Sequence, residues 1–242
     1  YIILHMNITL PDGSVKKLEA GSTGFDLAND IGPGLAKAAI AVSVNGVQKD
    51  LSDPINEDSE VSIITIDSDD GLEIMRHTLT AQVLAKAVKN LYPGTKLAIG
   101  PTIKDGFYYD FEFVKPIAPD DLEKIEKEMQ KIINSKSPIT KRLHNKKDAL
   151  KVFNTSGESY KESIIKESEQ EENFQLYYQD DNDFVDLCRG PHLPSLKYIG
   201  AFKLTKLAGA YWKGDSNNKM LTRIYGTAWK NEKDLNAYLH SI

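Results

Sequence analysis

The chain has 242 residues, 40% of them hydrophobic and 27% charged, with a formal net charge of −5. That length is generous for one domain and comfortable for two, and the composition is that of an ordinary globular protein. No apolar run approaches the roughly 18 residues of a membrane span, no basic and apolar leader opens the chain, and one cysteine excludes an internal disulfide; the expectation is a cytoplasmic, reducing setting with no membrane partner.

His5-Met6 reads as a cloning junction, with residues 1–5 as junction residue and Met6 as the natural start. "NITLPDGSVKKLEA" alternates around Pro-Asp-Gly-Ser, which predicts two strands and a turn, because Pro fixes φ and Gly admits a positive one. "STGFDLANDIG" predicts a helix capped by Ser22 or Thr23 and stopped at Gly32. Asn45-Gly46 between apolar residues is a hairpin signal, and "SEVSIITI" closes the region as a strand. Strands around one helix in about 60 residues suit a small β-grasp-like domain over 6–66.

"DSDDG" (Asp67 to Gly71) reads as a linker, leaving 67–242 as a second domain. Ile74, His77, Ala81, Leu84, Val88 and Leu91 keep a 3-4 spacing, which predicts an amphipathic helix ended by Pro93-Gly94. Phe107 to Phe113 alternates aromatic and acidic residues like a half-buried strand. "APDDLEKIEKEMQKIINS" predicts a helix capped by Asp120 or Asp121, with Leu122, Ile125, Met129, Ile132 and Ile133 on one face. A short helix is expected near "KKDALKVF", strands over "FQLYYQ", "FVDLCRG", "AFKLTKLAGAYWKG" and "TRIYGTAW", and a closing helix in "EKDLNAYLHSI". The acidic stretch from Lys166 to Asn173 reads as exposed. Net charge argues mildly against a nucleic-acid partner, but the basic run "ITKRLHNKK" (Ile139 to Lys147) is a local patch of the kind phosphates select. A solvated face explains such a run equally well.

The chemistry-bearing residues are few. The single cysteine, Cys188, and one of five histidines, His192, stand four positions apart around Gly190-Pro191. Gly-Pro breaks any helix between them, so they would meet only through a folded loop. A thiol and an imidazole in one hollow can activate a nucleophile or a water, bind a metal or recognise a small polar substrate; a buried cysteine beside a structural histidine fits the same spacing. Asp186 stands two residues before Cys188 and is placed to orient a histidine. A lone helical histidine such as His77 is commonly a packing or capping residue, and Lys161 in a polar stretch is by default exposed.

Together, "GLEIMRH", "LAIGPTIKDGFYYDFEF", "GESYK", "VDLCRGPHLP" and "AGAYWKGDSNNKMLTRIYGTAW" resemble, in order and spacing, the editing domain of bacterial-type threonyl-tRNA synthetase. "MNITLPDGS" through "VSIITI" resembles the TGS domain, a β-grasp module, that leads that family. The resemblance implies an α+β fold: a small TGS domain, then a larger editing domain with an antiparallel sheet and packed helices. It implies hydrolysis of the ester of mischarged Ser-tRNA(Thr), since one missing methyl is worth only about 1–3 kcal/mol in a binding pocket and a second pocket must clear the serine that slips through. The implied partners are the acceptor end of tRNA(Thr) and the remaining ligase and anticodon-binding domains. A homodimer is implied only through that ligase core, which, with its ATP and zinc, would lie beyond Ile242.

Carried over by motif, His77, Lys161, Cys188 and His192 are the implied catalytic residues, and Tyr109 and Asp186 the implied substrate-binding residues. The sequence departs from the family at the helix, which usually reads H-x-x-x-H. Aligned from the left His77 is the first histidine and Ala81 stands in the place of the second; aligned from the right Gln82 stands there, and Gln82 is counted as substrate-binding. A five-residue step turns a side chain by about 140° on a regular helix. A local bulge would absorb the extra residue. Glutamine does not titrate near neutral pH, so an editing-impaired region that serves as a tRNA-binding spacer is the alternative. No metal is expected in the pocket, because the Lys161 ammonium would be repelled by a zinc ion that the Cys and His ligands would otherwise attract.

Overall fold

A computed structural model describes residues 2–180 and 182–242. The chain forms two compact units: one runs to Met75 and includes Gly190–Pro194, and the other comprises Arg76–Arg189 and Ser195–Ile242.

In the first unit, β1 (His5–Thr9) and β2 (Val15–Glu19) form the predicted hairpin, α1 (Gly24–Ile31) and α2 (Pro33–Ala38) follow, and β3 (Ala39–Val44), β4 (Val47–Asp50) and β5 (Ser59–Thr65) complete a sheet of order β2-β1-β5-β3-β4. β1 and β5 pair in parallel and the other neighbours antiparallel, the arrangement of a β-grasp. Thr23 rather than Ser22 caps α1: its hydroxyl accepts from the Asp26 amide, and Asp26 Oδ2 accepts from the Thr23 amide. The Asn45-Gly46 turn has φ of 50° and 82° at its two residues, the conformation Asn-Gly tolerates best. α1 lays Leu27 and Ala28 on Ile8, Ala39, Val42 and Val61, and full burial of a side chain such as Leu27 contributes about 1.5–3 kcal/mol. The short α2, begun by Pro33, is an element the sequence reading omitted.

α3 (Asp69–Thr78) starts inside the stretch expected to be a linker, so "DSDDG" supplies an acidic first helical turn instead. It runs into a π-helical segment, Leu79–Leu84, and then α4 (Ala85–Leu91). In the second unit β6 (Lys96–Leu97), β7 (Thr102–Ile103) and β8 (Gly106–Glu112) lead to α5 (Asp121–Asn134), whose five predicted core residues are all buried. Neither Asp120 nor Asp121 caps α5 through its side chain in the expected way; Asp121 Oδ2 accepts from the Ala118 amide instead. The basic run forms β9 (Ile139–His144), an edge strand. α6 (Lys146–Thr155) is the predicted short helix, and α7 (Ser159–Glu167) is one the polar sequence concealed.

β10 (Phe174–Gln179) and β11 (Phe184–Leu187) join β9 in an antiparallel sheet of order β11-β10-β9. β12 (Ala201–Tyr211) and β13 (Met220–Trp229) join β8 and β6 in a second antiparallel sheet, and α8 (Glu232–Ser241) closes the chain. β8 differs from the half-buried strand expected: Asp110 on it is buried too, because Arg223 of β13 clasps its carboxylate at 2.8 and 3.0 Å. The fold class is α+β throughout. Among the described residues, no helix is long and apolar enough to cross a membrane.

Candidate functional site

The second unit buries a charged triad drawn from three elements. Asp186 on β11 accepts from the Lys161 ammonium of α7 at 2.9 Å and from the Leu187 amide at 2.8 Å through Oδ1, and from the Tyr109 hydroxyl of β8 at 2.9 Å through Oδ2. The Lys161 and Asp186 side chains are 4% and 2% exposed, so Lys161 is not the surface lysine that its polar neighbours suggest. Burying two charges is costly, and the pair is tolerable because the carboxylate is saturated with donors. Burial first, then the Asp186 carboxylate, pushes the Tyr109 phenol well above its ordinary range, so it stays a hydrogen-bond donor. Gly100 makes room for that ring: a Cβ there would lie 2.1 Å from Tyr109 Cδ2.

A second pair stands beside the triad. Cys188, just past the end of β11, places Sγ 3.0 Å from Nε2 of His77 in the last turn of α3. The Cys188 amide donates to the Gln175 carbonyl at 3.2 Å, which ties the loop to β10. His77, Cys188, Lys161, Asp186 and Tyr109 all line one cavity of about 660 Å³. That is within the size range of small-molecule sites and far larger than a serine side chain alone requires. A thiol, an imidazole, an ammonium and a carboxylate facing one hollow can hold a polar substrate, carry a proton and stabilise an oxyanion.

The helix departs from regularity where the sequence carries its extra residue. The Ala85 amide donates to the Thr80 carbonyl, five residues back, which is the π-helical bond that absorbs one inserted residue. The residue that shares the cavity with His77 is Ala81, not Gln82. Gln82 is fully buried elsewhere: Gln179 of β10 donates to its backbone carbonyl at 2.7 Å and to its Oε1 at 3.1 Å, and Gln82 Nε2 reaches the Tyr177 carbonyl at 3.4 Å. The expectation that Gln82 binds substrate is therefore corrected. Its amide is spent on β10, and Gln179 satisfies a carbonyl within the irregular turn.

His192 belongs to the first unit with Gly190–Pro194, is buried, and donates its backbone N–H to Asp50 Oδ1 at 2.9 Å. It is not among the cavity-lining residues of the second unit. The cavity of the second unit thus gathers five of the seven residues singled out from the sequence.

Comparison with known proteins gives these residues a family. Residues 6–65 match the TGS domain, and residues 175–225 match the second additional domain of threonyl and alanyl tRNA synthetases. The chain is 53% identical over 235 residues to a threonine–tRNA ligase of Hahella chejuensis, covering 97% of this chain and 36% of the relative. Threonine–tRNA ligases of Paramagnetospirillum magneticum and Legionella pneumophila are each 52% identical, over 237 and 236 residues, covering 97% and 98% of this chain. The chain corresponds to the N-terminal region of threonine–tRNA ligases, with a TGS domain and a second additional domain in that order. It spans about a third of the length of these curated relatives.

In this synthetase region the second-additional-domain match covers β10, β11 and the Cys188 loop, so Asp186 and Cys188 lie inside it. Of the two residues that can stand in the place of the second histidine, Ala81, four residues from His77, lines the cavity and Gln82 does not. One feature escaped the sequence reading. Gln179, the partner of Gln82, gave no signal at all, because only the packing of β10 brings the two together.

Proposed function

We propose that this chain is the editing region of its synthetase and hydrolyses the ester of Ser-tRNA(Thr) in the second unit's cavity. The observation that carries the reading is the shared hollow of His77, Cys188, Lys161, Asp186 and Tyr109, in the unit that holds the second-additional-domain match. A water attacks the seryl carbonyl carbon; its proton passes to a base, the C–O bond to the ribose breaks, and the ribose oxygen takes a proton. His77 is the shuttle, with its imidazole held by Cys188. Lys161, fixed by Asp186, faces the oxyanion. Tyr109 braces Asp186, whose carboxylate attracts the substrate ammonium. His192, four residues along the chain from Cys188, enters on the motif alone as the remaining catalytic group. No metal enters this reading, in which the Lys161 ammonium supplies the positive charge opposite the oxyanion. The partners are the acceptor end of tRNA(Thr) and the rest of the synthetase.

The test is deacylation of Ser-tRNA(Thr) and Thr-tRNA(Thr) by this chain. Faster loss of serine than of threonine is expected, slowed by about 10²-fold or more in Lys161→Ala and in His192→Ala, within the range of a lost proton-transfer or oxyanion group. Wild-type deacylation no faster than buffer ends the hydrolase reading.

One observation favours a second reading. The cavity holds Ala81 where the family motif supplies a second imidazole, and Gln82 is buried against β10. The region would then bind and space tRNA without editing it. Ala81→His returns an imidazole one turn from His77, so a gain of deacylation in that variant, from a silent parent, selects this reading.

A further inference from the structure

α7 brings Lys161 into the cavity, and its N-terminal end is anchored by a buried carboxylate for which the hydrolysis needs no direct role. Glu158, 3% exposed, precedes the first residue of α7 and its carbonyl accepts from the Glu162 amide in the first turn. Its Oε1 accepts from the Lys89 ammonium of α4 at 2.5 Å, and its Oε2 accepts from the Leu97 amide of β6 at 2.7 Å. Lys89 is itself fixed, donating to the Thr95 carbonyl at 2.9 Å. The Glu158 amide donates to the Phe153 carbonyl at 2.9 Å, so the residue is held on backbone and side chain alike.

Three residues further on, Lys161 meets Asp186. At a rise of about 1.5 Å per residue, Lys161 stands within one turn of Glu158, so a shift of the first turn of α7 carries Lys161 with it. A second brace on the same turn, Tyr160 hydroxyl to Glu112 at 2.7 Å, leaves the Glu158 end as the only one tied to α4 among the described residues. The Glu158 charge also acts on the Tyr109 phenol, one of the groups that meet Asp186. We propose that Glu158 is a positioning residue: through Lys89 and the Leu97 amide it fixes the start of α7, and thereby sets the Lys161 ammonium against Asp186 in the cavity. The proposal rests on the editing reading only for its kinetic consequence.

The test uses the 242-residue chain and two variants, Glu158→Gln and Glu158→Ala. Gln keeps an acceptor for Leu97 and loses the charge that holds Lys89; Ala loses both. The first readout is acylation of individual lysines by an acetylating ester, followed by mass spectrometry, with the buried Lys86 and the exposed Lys166 as references. Lys161 labelling is expected to rise by about tenfold in Glu158→Gln and more in Glu158→Ala, with Lys86 unchanged, as local opening exposes a protected group. The second readout is kcat against KM for the seryl ester. A fall of about tenfold or more in kcat with KM within about twofold is expected, the signature of a misplaced group. Lys161 labelling and kcat both unchanged in a folded Glu158→Ala overturns the proposal. So does equal loss of protection at Lys161 and Lys86, which marks general unfolding; should Ala unfold the chain, Gln decides by the same criteria. If the parent chain cleaves no ester, the editing reading fails alone and the labelling still decides the role of Glu158.

Discussion

The two units are stabilised by different means. The first is built on aliphatic side chains, Ile8, Leu27, Val42, Ile55 and Val61 among them, packed under one helix. The second also has an apolar core, but it buries Arg76, Lys86, Asp110, Glu158, Lys161 and Asp186, each 8% exposed or less. Apolar burial is non-directional and tolerates exchange of one hydrocarbon for another. Buried charge is directional: each group needs a partner at one place and costs several kcal/mol without it. The contrast teaches where specific chemistry is stored. A scaffold unit can be built mostly from oil, with a single buried carboxylate, Asp50, holding a backbone amide, whereas a unit that must present an ammonium and a carboxylate to a cavity is committed to several charges at particular distances.

The sharpest way to break that contrast is to orphan a charge. Asp186→Ala leaves the Lys161 ammonium buried without its carboxylate and removes the acceptor of Tyr109, so a loss of about 3–5 kcal/mol is expected, measured by urea unfolding at neutral pH. The double variant Asp186→Leu, Lys161→Met should recover most of it, because apolar replacement of a buried pair is often neutral. If Asp186→Ala costs no more than a surface substitution, the pair is not buried in solution and the contrast between the units fails. The counterpart in the first unit is Leu27→Ala, where a cavity in an aliphatic core is expected to cost about 2–5 kcal/mol, and Leu27→Met about 1.5 kcal/mol or less. No single exchange at Asp186 or at Lys161 should be tolerated as Met is at Leu27, because either one alone orphans the other charge.

The same division governs what was legible in the sequence. Periodic apolar residues announced the helix that carries His77 and α5, and alternation announced strands such as β5, because burial of a face leaves a repeat of 3.6 or 2. The Asn45-Gly46 hairpin and the Thr23 cap were legible because turn and cap chemistry is local. α7 was not, since it buries Lys161 and only a narrow apolar stripe, and its polar sequence resembles a surface loop. The alternation along Phe107 to Phe113 suggested one wet face, but Asp110 is neutralised by Arg223, 113 residues away, a pairing no local pattern encodes. Gln82 enters the expected site through alignment with the family motif, on the premise that a bulge restores its facing; the π-helical bond turns Ala81 to the cavity instead and Gln179 holds Gln82, and both depend on tertiary packing. The likeness to the synthetase family identified Lys161, Asp186 and Cys188 as candidates where periodicity could not, since their value lies in convergence rather than in repetition.

Tyr109 offers a finer test of the charged unit. Its hydroxyl donates to the Asp186 carboxylate, and a hydrogen bond to a charged group is worth about 1.5–3 kcal/mol, which Tyr109→Phe should lose at neutral pH. The folded phenol is held above its ordinary range by burial and by Asp186, so the folded state binds this proton more tightly than the unfolded chain. Its contribution is fully present below a pH of about 10 and is lost as pH rises through the folded value. Stability of the parent should therefore fall on the alkaline side, and Tyr109→Phe should fall less steeply over the same range. Parallel slopes for the two proteins would mean that the phenol is not buried against a carboxylate.

The smallest expected effect lies at the entrance to α1. Thr23 Oγ1 accepts from the Asp26 amide at 3.1 Å and Asp26 Oδ2 accepts from the Thr23 amide at 2.9 Å, a reciprocal cap in an exposed position. Thr23→Ala removes one of the two bonds and should cost about 1 kcal/mol, while Thr23→Ser keeps the hydroxyl and should stay within a few tenths. Because this is a local backbone effect with no buried charge behind it, the loss should be nearly independent of pH between 6 and 8, read as parallel shifts in urea midpoint. Amide exchange in α7 should be untouched by Thr23→Ala and accelerated by Glu158→Ala. An equal response of α7 to both substitutions would show that Glu158 holds nothing a distant cap does not also hold, and the distinction between a unit stabilised by packing and one stabilised by paired charges would lose its basis.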